Sequence, residues 1–299
     1  MFISVIVPMC NAEPYLAACL DALISQQYPT GDCEILLVDN GSTDRSVEIA
    51  RRYERVTVLA EPGHGAYAAR NRGIRSARGD VLAFTDADCA PDRSWLAAIA
   101  AAMAADAGLE LLCGCRLPGR ASPLLASLLA YENAKDAFVL NGADPELYYG
   151  YTSNMAVRRS AFERLGVFLE LERGADALFV RRLAAERSCA AICYVSRAIV
   201  THLELDRLAV YYKKMFLYGL HRRRNNSILR SRPLTHRERM AVYRQIVALG
   251  DYSAVRAVLL LAALGVGSLA WHAGTASAHV GESARGAEWR ARETTETPS

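Results

Sequence analysis

The chain lacks several features that would place it directly in a class of protein. Residues 1–8 have no basic start and no small-residue cleavage site, so we expect a buried first strand there and no secretory signal. None of the eight cysteines has Cys-x-x-Cys spacing to another, and the pairs 113/115 and 189/193 lack nearby histidines. This argues against a zinc centre and predicts reduced core thiols in a cytosolic setting. A Gly-rich turn after the first strand is also missing, which excludes the dinucleotide-binding signature.

No apolar run reaches the ~20 residues that a membrane-spanning helix requires. The longest, residues 257–271, is closed by Arg256 and His272. Two interpretations stay open for it, namely a buried helix of a soluble protein and a helix embedded in or lying on a membrane.

Net charge is also small, at +3, but it is unevenly distributed. Residues 207–244 contain eleven Lys or Arg and one acid, Glu238, which leaves a local charge of +10. A solvated helix face is the ordinary interpretation of such a run. The apolar segment that follows favours an anionic membrane surface as the partner. No recognised nucleic-acid-binding motif accompanies the basic segment, so we expect no nucleic-acid partner.

What the chain does have is the alternation typical of an α/β protein. With 299 residues, 52% of them apolar, it can bury a sizeable core. Strands are predicted at 3–7, 33–38, 56–60, 81–85 and 109–113, with helices at 13–27, from about 44, at 66–77 and at 95–105. Further helices are predicted at 123–140 and 175–186, and short strands at 191–195 and 198–202. The order predicts a mainly parallel sheet with helices on both faces.

Carboxylates follow two of the predicted strands. Asp39 ends the second strand, and Asp86 and Asp88 follow the fourth. Ligands of open α/β sheets bind at the carboxyl ends of the strands. Two aspartates at such an edge suit Mg²⁺ or Mn²⁺ shared with a phosphate ligand.

An ordered set of sequence blocks resembles the inverting glycosyltransferases of family 2 (GT2), which have the GT-A fold. The resemblance covers roughly residues 1–205. Its blocks are Val5-Ile-Val-Pro8, Asn11-Ala-Glu13, Gln27-Tyr-Pro29, Glu34-Ile-Leu-Leu-Val-Asp39-Asn-Gly-Ser-Thr-Asp44, Gly65-Ala-Tyr-Ala-Ala-Arg70-Asn71-Arg-Gly73, Asp80-Val-Leu-Ala-Phe-Thr-Asp86-Ala-Asp88, Ser153-Asn-Met-Ala-Val-Arg158, Gly174-Ala-Asp176 and His202.

The resemblance implies a role for each matching residue. Asp176 would be the catalytic base, and Asp88 with His202 would hold Mg²⁺ or Mn²⁺. The donor would be a nucleotide-sugar, a UDP-sugar first and a GDP- or dTDP-sugar otherwise. Its nucleotide would be bound by Pro8, Glu13, Asp39, Arg70 and Asp86.

Two departures from the family pattern affect these expectations. Cys10 stands where an aromatic side chain usually stacks on the base, which leaves the choice of nucleobase open. Ala175 replaces the acid that usually precedes the base. If the alignment shifts by a few residues, Glu170 or Glu172 becomes the candidate base in place of Asp176.

Together these features predict a GT-A domain at 1–205, with a nucleotide-sugar half at 1–115 and an acceptor half at 116–205. Basic and apolar helices at 206–273 and a flexible tail at 274–299 would follow. We expect a metal-dependent inverting transferase at the inner face of the cell membrane, acting on a glycan or polyprenyl-linked acceptor in cell-envelope polysaccharide or glycolipid synthesis. The alternative is a degenerate nucleotide-binding module in a membrane complex. A haloacid-dehalogenase-type phosphatase fits less well, because its Asp pair follows the first strand.

Overall fold

The computed structural model describes residues 1–63 and 65–293 and contains one eight-stranded sheet. Its strands are β1 (Ile3–Met9), β2 (Cys33–Asp39), β3 (Val56–Ala60), β4 (Val81–Thr85), β5 (Cys89–Pro91), β6 (Leu111–Pro118), β7 (Asn154–Arg158) and β8 (Ile192–His202). The helices are α1 (Glu13–Ile24), α2 (Ser46–Ala50), α3 (Ala66–Ser76), α4 (Trp95–Ala105), α5 (Pro123–Leu140), α6 (Arg159–Leu165), α7 (Ala175–Glu186), α8 (Leu208–Ile228), α9 (His236–Leu249) and α10 (Ala254–Glu293).

The strand order is β3-β2-β1-β4-β7-β6-β8-β5. Strands β1 to β4 pair in parallel, and β7 enters antiparallel between β4 and β6. In the register of β1 with β2, Met9 lies opposite Asp39. The carboxyl ends of β1, β2 and β4 therefore share one edge, where ligands of such sheets bind.

Alternating side chains of the buried strands fill two cores, one on each face of the sheet. Val5 and Val7 of β1 belong to the cluster that α1 and α4 cover. Ile6 points the other way and belongs to the cluster with α3, α6 and α7. This period of two, with both faces apolar, is what a strand covered by helices on both sides requires.

The second half of the sheet differs from the sequence prediction. The two short strands predicted at 191–195 and 198–202 are one strand, β8, with a shift of register opposite Gly114 and Cys115 of β6. Strands β5 and β7 were not predicted. A three-residue strand that ends in Pro91 has no period to detect, and β7 is fixed by distant pairing partners.

Helices α8, α9 and α10 pack together with α5 around a third apolar cluster. It includes Leu125 of α5, Tyr211 of α8, Val242 of α9 and Leu260 of α10. The tail predicted from residue 274 lies within α10 as far as Glu293, and residues 294–299 lie outside the described residues.

One buried amide connects the mixed half of the sheet to α4. Asn154 Nδ2 donates to the carbonyls of Cys115 and Ala198, each at 2.8 Å, and its Oδ1 accepts from Trp95 Nε1 at 2.9 Å. Both Asn154 and Trp95 are fully buried. A loss of this amide would leave three polar groups without partners in the core.

We therefore expect Asn154→Ala to lower the free energy of unfolding by about 3 kcal/mol or more, at about 1–3 kcal/mol for each buried group left unpaired. Urea unfolding followed by circular dichroism measures this. The control is Asn141→Ala, because that exposed amide accepts a single hydrogen bond, from the Tyr194 N–H at 3.0 Å. Equal unfolding midpoints for the two variants would contradict the prediction.

Candidate active site

A cavity of about 1070 Å³ opens at the carboxyl ends of β1 and β4 and continues between the sheet and helices α7 to α10. Six of the eight site residues predicted from the sequence line it: Pro8, Arg70, Asp86, Asp88, Asp176 and His202. They come from β1, the loop after β4, α3, the start of α7 and the end of β8. The fold thus brings them to a single chamber.

An ion pair joins α3 to the end of β4. Arg70 Nη2 lies 2.5 Å from Asp86 Oδ1, and the Arg70 residue is only 5% exposed. Its guanidinium also lies over the Tyr67 ring, 5.1 Å from the ring centre. Burial raises the pKa of the Tyr67 hydroxyl, with Asp176 adding to the shift. The Arg70 guanidinium thus contacts both Asp86 at the sheet edge and the Tyr67 ring of its own helix.

Asp88 and His202 lie together across β5 and β8. His202 Nδ1 is 3.3 Å from Asp88 Oδ2 and has no hydrogen-bond partner despite its burial. Burial, together with the neighbouring Asp86 carboxylate, raises the pKa of Asp88 to about 7. Burial also lowers the pKa of His202 to about 3, and the Lys214 ammonium adds to this effect. A neutral imidazole beside a carboxylate is a suitable donor set for a divalent cation.

Cys89 completes a group of three side chains whose ligand atoms lie within 4.8 Å of one another. Its Sγ is 3.5 Å from Asp88 Oδ1, in donor position. Burial raises the pKa of this thiol well above its usual range, with Asp88 adding to the shift. A thiol that keeps its proton supports the carboxylate as a weak donor, so Asp88 and His202 are the residues that fit a hard cation.

Lys214 of α8, which sequence reasoning missed, holds the imidazole in one tautomer. Its Nζ is 2.7 Å from His202 Nε2 and 3.7 Å from Glu204 Oε2. Because an ammonium only donates, Nε2 accepts and the single proton of the neutral ring is on Nδ1. A cation bound at Nδ1 needs the proton on Nε2 instead, so Lys214 has to leave that nitrogen.

Asp176 begins helix α7 and faces the same cavity. Its Oδ2 accepts from the Thr152 N–H at 3.2 Å, and its Oδ1 from the Ala177 N–H at 2.9 Å. The Tyr67 hydroxyl accepts from the Gly174 N–H at 3.2 Å and so fixes the start of the helix. The first turn of a helix is a favourable position for a carboxylate, because the helix dipole is positive there.

The alternative bases occupy different places. Glu170 Oε1 accepts from Asn71 Nδ2 at 3.3 Å and does not line the cavity. Glu172 lines it, but its side chain is 72% exposed and lies 3.9 Å from His221. Asp176 is thus the carboxylate that backbone donors hold inside the chamber.

Two predicted nucleotide-binding residues do not line the cavity. Glu13 forms an ion pair with Arg45, and Asp39 Oδ1 accepts from the Ser42 N–H at 3.1 Å in the turn after β2. Their neighbours Asn40 and Cys10 line the cavity instead. The nucleotide roles of Glu13 and Asp39 stay predictions.

A charged and aromatic cluster formed by residues of β6, α5 and the segment before β7 was also missed by sequence reasoning. The buried carboxylate of Asp136 accepts from Tyr149 Oη at 2.5 Å and Tyr151 Oη at 2.7 Å, and pairs with Arg116 at 3.0 Å. Arg116 in turn lies over the Tyr151 ring at 3.4 Å. The run of tyrosines at 148, 149 and 151 was the available signal, because aromatic faces line many saccharide sites.

Comparison with known proteins agrees with the resemblance. The profile of "Glycosyl transferase family 2" matches residues 4–166. "Glycosyltransferase AglE" of Haloferax volcanii is 46% identical over 100 residues, which are 32% of this chain and 33% of the relative. A poly(ribitol-phosphate) beta-glucosyltransferase of Bacillus spizizenii is 38% identical over 94 residues, 29% of this chain and 15% of the relative. The matched segments thus span about a third or less of these curated relatives.

Solved structures share the fold. The mannosyltransferase PcManGT from Pyrobaculum calidifontis, in complex with GDP-Man and Mn²⁺, superposes with a TM-score of 0.63 at 20% identity, over 92% of this chain and 86% of its own. Residues 1–349 of S. aureus TarS superpose with a TM-score of 0.54 at 21% identity, over 93% and 83%. These likenesses confirm the predicted GT-A architecture.

The position of Lys214 generates a test of the cation site. Lys214→Met is expected to bind Mn²⁺ several-fold more tightly than the wild type in the absence of nucleotide, because it removes a neighbouring positive charge and releases His202 Nε2. Electron paramagnetic resonance of free Mn²⁺ measures the affinity. The exposed Lys213→Met serves as control. Unchanged or weaker Mn²⁺ binding by Lys214→Met would argue against a site at His202.

Proposed function

Because the chain belongs to glycosyl transferase family 2, we propose that it transfers a sugar from a nucleotide-diphosphate donor to an acceptor, with inversion at the anomeric carbon and with a divalent cation. The observation that carries this proposal is the convergence of Asp88 with His202 and of Asp176 on one cavity, with the ion pair of Arg70 and Asp86 between them. Cell-envelope polysaccharide or glycolipid synthesis is the proposed setting, as the AglE and teichoic acid relatives suggest.

The donor is proposed to lie along the edge formed by Pro8, Asp86 and Asp88. PcManGT was solved with GDP-Man and TarS with UDP-GlcNAc, so the fold accepts either base in those proteins. We propose a UDP-sugar as the first candidate here, with GDP- and dTDP-sugars as alternatives. Cys10 offers no aromatic face to the base, which leaves its selection to hydrogen bonds around Asp39 and Asn40.

The residues present divide the chemistry between them. Asp88 and His202 would hold a Mg²⁺ or Mn²⁺ ion, which would supply positive charge for the departing diphosphate. Arg70, whose charge is fixed by Asp86, adds a second positive group near the same edge. Asp176, at the start of α7, accepts the proton of the acceptor hydroxyl as that oxygen attacks. A single displacement from the face opposite the leaving group inverts the anomeric centre.

Replacement of the proposed base tests this division. Asp176→Asn should reduce transfer at least a hundredfold, since general base catalysis typically contributes 10²–10⁴-fold. Nucleoside diphosphate affinity should stay within about twofold of the wild type. Transfer is measured as nucleotide release from UDP-, GDP- and dTDP-sugars in the presence of cell lipids.

Glu172→Gln is the matched control, because Glu172 is the other candidate carboxylate in the cavity and should tolerate the change. Full transfer activity in Asp176→Asn would show that Asp176 is not the base. Loss of transfer activity in Glu172→Gln alone would assign the base to Glu172. Donor binding without turnover in the wild type would instead favour the degenerate-module alternative.

Helix α10 is proposed to attach the protein to the inner face of the cell membrane. Its segment Ala254–Ala278 is long and apolar enough to cross a bilayer, with a mean hydropathy of 1.9. Only 17% of an 18-residue stretch within this segment is buried in the protein. One side packs on α5 and α8 through Leu260 and Ala263, whereas Val258 and Leu269 are 65% and 72% exposed. A helix that already packs along one side against the protein is suited to lie in the interface with its free side in lipid.

Vesicle sedimentation tests this attachment. Val258→Gln and Leu269→Gln together should weaken binding to vesicles of phosphatidylglycerol and phosphatidylcholine at least tenfold, because each buried apolar side chain contributes about 1.5–3 kcal/mol. Leu169→Gln, which changes an exposed leucine outside α10, should bind like the wild type. Failure of the unaltered protein to sediment with these vesicles would refute the attachment.

A further inference from the structure

One buried arginine in the cavity forms no ion pair with any residue that the structure describes. Arg181 of α7 is only 6% exposed, and within the same part of the chain its Nε has no hydrogen-bond partner. Its sole hydrogen bond among the described residues is a long one, 3.4 Å from Nη2 to the Leu229 carbonyl. Arg70, which is also buried, and Arg116, which is half-buried, line the same chamber, and each pairs with an aspartate.

A second arginine and an amide lie with it. Arg222 of α8 lines the same cavity, over the Trp271 ring at 5.0 Å, and no ion-pair partner is found for it in the described part of the chain. Asn225, one turn further on, has a buried Oδ1 that accepts no hydrogen bond from the residues described. A Cβ atom added at Gly174 would lie 2.1 Å from Asn225 Nδ2. The Asn225 amide therefore packs against Gly174, two residues before Asp176 in the chain.

Such an arrangement is costly in the free protein. A buried charge without a partner is strongly disfavoured. Burial lowers the pKa of Arg181, and the charge of Arg222 adds to this shift, whereas the Asp176 carboxylate opposes it. Burial lowers the pKa of Arg222 as well. An anion bound between the two guanidinium groups would offset the cost of burying their charges and reduce the repulsion between them. Guanidinium groups also match the geometry of phosphate well.

We propose that Arg181, Arg222 and Asn225 form an anion subsite that holds a phosphoryl group of the acceptor. This inference rests on the proposed function, since it concerns the acceptor of that transfer. The donor diphosphate already has a proposed partner in the cation that Asp88 and His202 would hold, whereas these residues lie on α7 and α8 beside Asp176. Trp271 belongs to α10, so an acceptor phosphate held here would sit next to the helix proposed to contact lipid.

Calorimetric titration of three soluble probes tests the subsite. Farnesyl phosphate has both an isoprenoid chain and a phosphate group. Inorganic phosphate represents the head group alone, and farnesol represents the isoprenoid chain alone. We expect wild type to bind farnesyl phosphate, and Arg222→Met to bind it about ten- to a hundredfold more weakly, the contribution of hydrogen bonds to a charged group. Arg224→Met is the control, because Arg224 is exposed on the same helix.

A second variant separates ligand binding from folding. Arg181→Met keeps the aliphatic length and removes the unpaired charge, so it should raise the melting temperature of the free protein and abolish the stabilisation that farnesyl phosphate gives wild type. A purely structural role of Arg181 would instead lower the melting temperature.

The outcomes are distinct. Equal binding of inorganic and farnesyl phosphate supports the subsite and assigns the phosphate to a non-lipid acceptor. Binding of farnesol as tight as farnesyl phosphate, or unchanged affinity in Arg222→Met, overturns it. Loss of nucleoside diphosphate affinity in Arg222→Met also overturns it, because the arginines then belong to the donor. Failure of wild type to bind any nucleoside diphosphate counts against the proposed function, whatever the phosphate probes show.

Discussion

The ion pair between Arg70 and Asp86 is the interaction on which the arrangement of the cavity depends. It connects α3 to the carboxyl end of β4. The Arg70 side chain is buried, whereas that of Asp86 is 29% exposed, so removal of the aspartate would leave a buried guanidinium charge unpaired. Asp86 thereby keeps a partner, and its neighbour Asp88 remains beside His202 as the carboxylate available to a cation. Arg70 also lies over the ring of Tyr67, whose hydroxyl accepts hydrogen bonds from the Gly174 and Asp176 N–H groups at the start of α7. One partly buried charge pair thus relates the proposed cation site to the proposed base.

Local patterns predicted the elements whose structure is determined locally. Helices Trp95–Ala105 and Ala175–Glu186 and strand Val81–Thr85 have the predicted bounds, because an apolar period or an unbroken apolar run defines each of them. The residues of strand β7 belong to one of the family blocks, but their sequence does not predict a strand. Its antiparallel position between β4 and β6 comes from pairing across distant parts of the chain, which periodicity does not report.

The candidate site shows the same division. Asp86 and Asp88 could be placed at a strand end from the sequence, and the family blocks added Asp176 and His202. Lys214 and Arg181 could not be found, because their significance depends on how α8 packs against β8 and α7. Residues 207–244 contain eleven basic residues, and nothing in the sequence distinguishes the few whose side chains line the cavity.

The central claim is a cation-dependent nucleotide site at the end of β4. Calorimetric titration of UDP, GDP and dTDP, with and without Mn²⁺, into wild type, Asp88→Ala and the exposed control Asp106→Ala tests it most directly. The account predicts that one nucleotide binds to wild type and to the control only with Mn²⁺, and that Asp88→Ala loses this binding. Equal binding with and without Mn²⁺, or undiminished binding by Asp88→Ala, would contradict it.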